Sequence, residues 1–135
     1  MTNIESISYV TKFNSLMAPI GRIFIAGIFF MAGLNKISSY ENTVGFMNSA
    51  GVSGDLLPIV IALEIFGGVA VIVGWKTRIF AFLLAGFCLL SAILFHADFS
   101  NQIQMGMFMK NIAIVGGFLV LVANGGGSYS LDKRR

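Results

Sequence analysis

Charge is what this chain has least of. Only 11% of its 135 residues are Asp, Glu, Lys or Arg, while 56% are hydrophobic. A soluble domain of this length needs more polar surface than those residues can supply, so that class is excluded. Cysteine is almost missing as well. Cys88 stands alone, which rules out an internal disulfide and any Cys-x-x-Cys redox pair, and it reads as a small core residue. His96 is the single histidine and the acids are scattered, so no metal-ligand set is expected. Met105, Met107 and Met109 do not share one helix face and have no second His or Cys beside them, which argues for apolar filling over a thioether copper site. No phosphate loop, dinucleotide fingerprint or Ser-centred nucleophile motif occurs. The net charge of +3 is not gathered into a patch that would grip nucleic acid.

What the chain does have is long apolar blocks: Leu16–Leu34, Leu56–Trp75, Ile79–Phe95 and a last one ending near Ala123. They are continuous and do not alternate in polarity, which predicts spanning helices and not barrel strands. The expected architecture is all-α, an integral membrane four-helix bundle in a single membrane domain over 1–135. The spans fall at about 16–35, 56–75, 78–96 and 105–123, with a tail over 124–135. The first block starts some fifteen residues in, contains Arg22 and lacks a small-residue cleavage pattern, so it is expected to be a retained span. With four alternating spans, Lys12, Arg22, Lys76, Arg78, Lys133, Arg134 and Arg135 share one side, and only Lys36 and Lys110 the other. That asymmetry predicts that both termini are cytoplasmic.

The connections also carry pattern. Ile4, Ile7, Val10 and Phe13 suit a short interfacial helix leading into span one. In "SSYENTVGFMNSAG", Ser38 and Glu41 have capping-box spacing, and Tyr40, Val44 and Met47 form a face that Gly51 can close. A short amphipathic interfacial helix is expected there, on the outer surface. Pro58 falls in the first turn of span two, where its missing N–H costs nothing.

Length arithmetic embeds several polar groups. A span needs about twenty residues to cross the hydrocarbon. Starting span four after Asn111 leaves too few, so Lys110 and Asn111 must lie within it, and Arg22 must lie within span one. Glu64, inside "IALEIFGGVAV", is the deepest. An acid at a helix centre costs roughly 2.5–3.5 kcal/mol to insert, which drives it toward the bundle interior, protonated or paired. Gly67 and Gly68 follow on its face and admit a neighbouring helix. Arg22, Ala26, Phe29, Gly33 and Lys36 make one inward stripe on span one, while Arg78 and His96 share a face of span three. These positions predict a polar cavity open to the outside, floored by Glu64 and ringed by Lys36, His96, Lys110 and Asn111. Plainer roles compete with it. Lys36 and His96 can snorkel to the interface, Arg78 can anchor its turn, and Glu64 with Arg22 can form a structural ion pair.

The ordered set "GRIFIAGIFFMAGLNKI", "ALEIFGGVAVIVGWKTR", "HADF", "MKNIAIVGG" and "GGGSYSLD" resembles the DoxX family of small bacterial membrane proteins, from about Pro19 to Asp132. Matching positions are Arg22, Gly33, Lys36, Glu64, Gly67, Gly68, Gly74, Thr77, Arg78, His96, Lys110 and Asn111. The resemblance implies a four-helix bundle of the bacterial inner membrane. It also implies association with quinone-linked membrane oxidoreductases, although other relatives look like partner or maturation proteins.

Two readings follow. In the first, the chain is a component of a quinone-linked oxidoreductase system, working with a redox partner protein. Glu64 and Lys110 are its candidate catalytic residues, and Lys36, His96, Asn111 and Arg22 hold the quinone. In the second, it is a non-catalytic membrane scaffold or assembly partner whose charges fix topology and register. Solute transport is disfavoured, because no inverted repeat is evident.

Overall fold

The computed structural model describes residues 2–134, and every regular element among them is helical. Helix α1 (Asn3–Ser38) opens on a capping box: the Thr2 hydroxyl accepts from the Glu5 N–H, and the Glu5 carboxylate accepts from the Thr2 N–H. Such reciprocal bonds satisfy donors that a helix start leaves orphaned. The expected surface helix is not a separate element, because residues 3–15 continue without a break into span one. Pro19 sits inside the helix and does not end it. At 36 residues, α1 is about 54 Å long, well beyond the ~30 Å that a span must cover.

Only Ser39 separates α1 from α2 (Tyr40–Ser49). The Ser38–Glu41 capping box does not form, because α1 runs through Ser38 and the Ser38 hydroxyl donates to the Asn35 carbonyl instead. Gly51, at φ 80°, turns the chain beyond α2. The Asn48 side chain then accepts from the Gly54 N–H at 2.9 Å, tying α2 to a 3₁₀ turn at Gly54–Leu56. That turn runs into α3 (Leu57–Val73), with Pro58 in its first turn. Gly74, in the left-handed region at φ 75°, ends α3, and α4 (Thr77–Phe95) follows. Asn101 caps α5 (Gln102–Asn124) by accepting from two backbone N–H groups. Among the described residues, four helical segments are long and apolar enough to cross a membrane: α1, Gly54–Val73, α4 and α5.

Helix α1 lies along α3, α4 lies along α5, and α3 joins the two pairs through α4. The α1–α3 seam is close because of two glycines. A Cβ on Gly33 would sit 2.6 Å from Ile65 Cγ1 and 3.2 Å from Glu64 Cβ, and one on Gly68 would sit 3.1 Å from the Phe30 nitrogen. Small residues of this kind let helix backbones approach in lipid, where association rests on packing and not on a hydrophobic drive. Arg22, Ala26, Phe29 and Gly33 are the buried residues of α1, the inward stripe that their spacing indicates. Phe29 packs on Phe118 and edge-on against Phe87, with Ala81, Leu84 and Ala85 completing the core. Phe24, Phe66 and Val120 point away from it, as lipid-facing residues do. The bundle therefore has two ends: the α2 end, and the tail end where α3 stops, α4 starts and the C-terminal segment lies.

Candidate functional site

A cavity of about 270 Å³ opens at the α2 end, between all four long helices. Its floor is Glu64, midway along α3 and 2% exposed. Lys36 reaches it from α1: Nζ donates to Glu64 Oε1 at 3.0 Å. Their meeting follows from the seam. Gly33 brings α1 against α3 beside Glu64, and Lys36, three residues on, lies on the same face. Lys36 is thus turned inward and not snorkelled to the interface, and Glu64 pairs with Lys36 and not with Arg22. The other carboxylate oxygen, Glu64 Oε2, is buried without any hydrogen-bond partner. In hydrocarbon, such an atom is expensive to leave bare.

Around this pair stand Lys110, Asn111 and His96, as the sequence expectation has it. Lys110 and Asn111 sit inside α5, embedded and not flanking. Asn111 is buried, and its backbone carbonyl accepts a weak bond from Cys88 Sγ at 3.5 Å. His96, the C-cap of α4, meets Gln104 of α5: Nδ1 and Gln104 Oε1 are 2.7 Å apart. With that oxygen as acceptor, Nδ1 carries a proton, and in the neutral ring Nε2 is then the accepting nitrogen. The walls are apolar, with Phe29, Phe87 and Ile114 among them.

Among the lining residues that a reading of the sequence alone does not place at the cavity are Thr43, Phe46 and Met47, all from α2. Met47 is buried and Phe46 stacks on Phe95 at 5.3 Å, so α2 leans its inner face over the cavity. The i, i+4, i+7 pattern marks that face but cannot say what it meets.

Arg22 is a correction. It does not line this cavity and cannot hold a ligand there. It is 1% exposed at the tail end. Nη1 donates to the carbonyls of Val71 at 3.1 Å and Ile72 at 2.8 Å, and Nη2 to that of Tyr129. The last carbonyls of a helix lack their usual helical partners and are electronegative, so α3's end, where Val71 otherwise accepts from the Gly74 N–H, is a natural seat for a guanidinium. The C-terminal segment completes that seat. Asp132 accepts from the Lys76 N–H (2.7 Å), the Thr77 N–H (2.9 Å) and the Thr77 hydroxyl (2.7 Å), capping a helix with no local cap. Arg78 is exposed beside this turn. Arg135, counted with the positive residues of this end, lies outside the described residues. Among the described residues, no three His, Cys, Asp or Glu side chains are placed to share a metal ion.

Comparison with known proteins agrees with this architecture. The DoxX family matches residues 17–97, more than half of the chain. Inner membrane protein YqjF of Escherichia coli is 46% identical over 90% of the chain and 94% of its own length. Inner membrane protein YphA of the same organism is 33% identical over 85% of the chain and 87% of its own length. The Bacillus subtilis protein named "Putative oxidoreductase CatD" is 38% identical over 47% of the chain and 48% of its own length. No solved structure matches the chain.

Proposed function

The chain belongs to the DoxX family and is a multi-pass inner-membrane protein, and we propose that its α2-end cavity binds the ring of a membrane quinone within an oxidoreductase system. The observation that carries this reading is Glu64 Oε2, buried and without a partner at the floor of an apolar cavity. In the reduced, quinol form a ring hydroxyl donates one hydrogen bond, which is what that oxygen lacks. The ring's other needs are met by the same lining. Its flat body suits a wall of Phe29 and Phe87, and its oxygens suit the ammonium of Lys110 and the amide of Asn111. CatD, matched over part of the chain, is a relative whose name concerns oxidoreduction.

In this reading Glu64 and Lys110 touch the ring oxygens, and Asn111, Lys36 and His96 hold and orient. Lys36 keeps Oε1 engaged, so Oε2 is the oxygen that faces the ring. On oxidation of a bound quinol, Oε2 takes one of the two protons that leave the ring. His96 passes the other toward the cavity mouth through Nε2, and the two electrons go to a redox partner protein. The charge asymmetry of the chain sets the orientation: both termini cytoplasmic, α2 on the outer surface and the cavity opening outward.

The test is lipid extraction after purification in mild detergent. With the pool kept reduced during extraction, wild type is expected to carry quinol, and Glu64→Gln to lose it by about tenfold or more, the value of a hydrogen bond to a charged group. Quinone-free extracts from both would overturn the reading and favour the scaffold, whose own signature is a stoichiometric partner indifferent to Glu64.

A further inference from the structure

The tail end carries a second cavity, of about 470 Å³, between the start of α4 and the end of α5. Lys76, Arg78 and Lys133 line it, with Asn124 and the glycines 125–127. The acid on its wall, Asp132, is engaged by the first turn of α4. The amides there are thus already taken, and the helix start offers nothing to a ligand. The cations are another matter. Among the described residues Lys76, Arg78 and Lys133 make no ion pair, and three cations against one acid leave the cavity positive.

Its position selects the ligand. Arg78 is the second residue of a spanning helix, so its guanidinium stands where hydrocarbon gives way to headgroups. Immediately beyond it Ile79 is 57% exposed and, one turn on, Phe82 is 62% exposed, an open apolar strip running away from the cavity. Gly125 leaves the guanidinium uncrowded, since a Cβ there would sit 3.2 Å from Arg78 Nε. A positive cavity between spanning helices, continuous with an apolar strip, is complementary to a molecule with a phosphate at one end and acyl chains at the other.

We infer that this cavity holds the phosphate of an anionic phospholipid, with Arg78 and Lys133 on the phosphate and the acyl chains along Ile79 and Phe82. This site shares no residue with the Glu64 cavity and stands whether or not a quinone binds there. To test it, delipidated full-length protein is titrated in detergent with phosphatidylglycerol, phosphatidylcholine or inorganic phosphate, and bound molecules are counted by native mass spectrometry. Phosphatidylglycerol is expected to be retained about tenfold more strongly than phosphatidylcholine. The Arg78→Gln/Lys133→Gln pair removes that preference, whereas Lys12→Gln, an exposed cation on the α1 arm, keeps it. Equal loss in Lys12→Gln, or none in the paired variant, overturns the site. Saturation by inorganic phosphate with no lipid preference overturns the lipid as its ligand. If the paired variant does not fold, Lys133→Gln alone carries the comparison: a weakened preference supports the site and an unchanged one overturns it.

Discussion

At the tail end, the Arg22 guanidinium is buried and its two terminal nitrogens make three bonds to backbone carbonyls, leaving only Nε without a partner. At the α2 end, the Glu64 carboxylate is just as buried, yet it makes one bond and belongs to a residue that lines a cavity. Both charges sit in spanning helices at similar cost. The difference lies in what surrounds them. Around Arg22 the chain closes over itself with α3's last turn and the C-terminal segment, leaving the residue 1% exposed. Around Glu64 it supplies one lysine and stops. A buried charge held by several groups of its own chain serves architecture, whereas one with a single bond at the floor of a cavity invites a visitor.

The comparison can be broken from either side. The largest effect should come from Arg22→Ala, which strands the Ile72 and Tyr129 carbonyls at about 1–3 kcal/mol each and leaves Val71 only its bond from the Gly74 N–H. Thermal unfolding in detergent should show a protein barely folded, and a small shift would mean the tail end is not closed as described. Next comes Lys36→Met. It leaves Glu64 buried and unpaired, a situation that typically costs about 3–5 kcal/mol. Adding Glu64→Leu should restore most of that loss, and the double-mutant cycle in the same assay measures the coupling. Were Arg22→Ala mild and Lys36→Met severe, the roles of the two ends would have to be exchanged.

Smaller changes sharpen the contrast. Asp132→Asn drops the charge of the α4 cap and replaces one of its two accepting oxygens by an NH2 that cannot accept, and should cost about 1–3 kcal/mol. Bound-lipid content in the Glu64 cavity should not move, because Asp132 lies at the other end. Phe46→Ala removes one aromatic pair, worth about 0.5–1.5 kcal/mol. Its stability effect should be slight, but ligand exchange at the α2 end should quicken, visible as faster loss of bound quinone during washing.

Much of this arrangement was legible in the residues. Block lengths alone force Lys110, Asn111 and Arg22 into the membrane, and the depth of Glu64 in "IALEIFGGVAV" turns it inward. Local spacing indicates the α1 stripe and the Pro58 start. What escaped were bonds to partners far along the chain. Arg22 seeks backbone oxygens, and a carbonyl carries no side-chain signature, so nothing in "GGGSYSLD" announces that Tyr129 will meet it. The Asp132 cap is hidden for the same reason, although α4 does hold a clue: Trp75 and Lys76 before Thr77 are no capping residues, so the helix had to borrow one. The Ser38–Glu41 pattern misled because a helix already running through Ser38 outcompetes a new start there.

The seat of Arg22 also sets an order of events. Its acceptors lie 49, 50 and 107 positions further along the chain. During synthesis the first helix enters the bilayer with its guanidinium unanswered, receives two oxygens when the second span is made, and waits for the third until Tyr129 is made. A chain cut short before the second span keeps a raw cation in the lipid, and one cut short before Tyr129 leaves Nη2 without its acceptor.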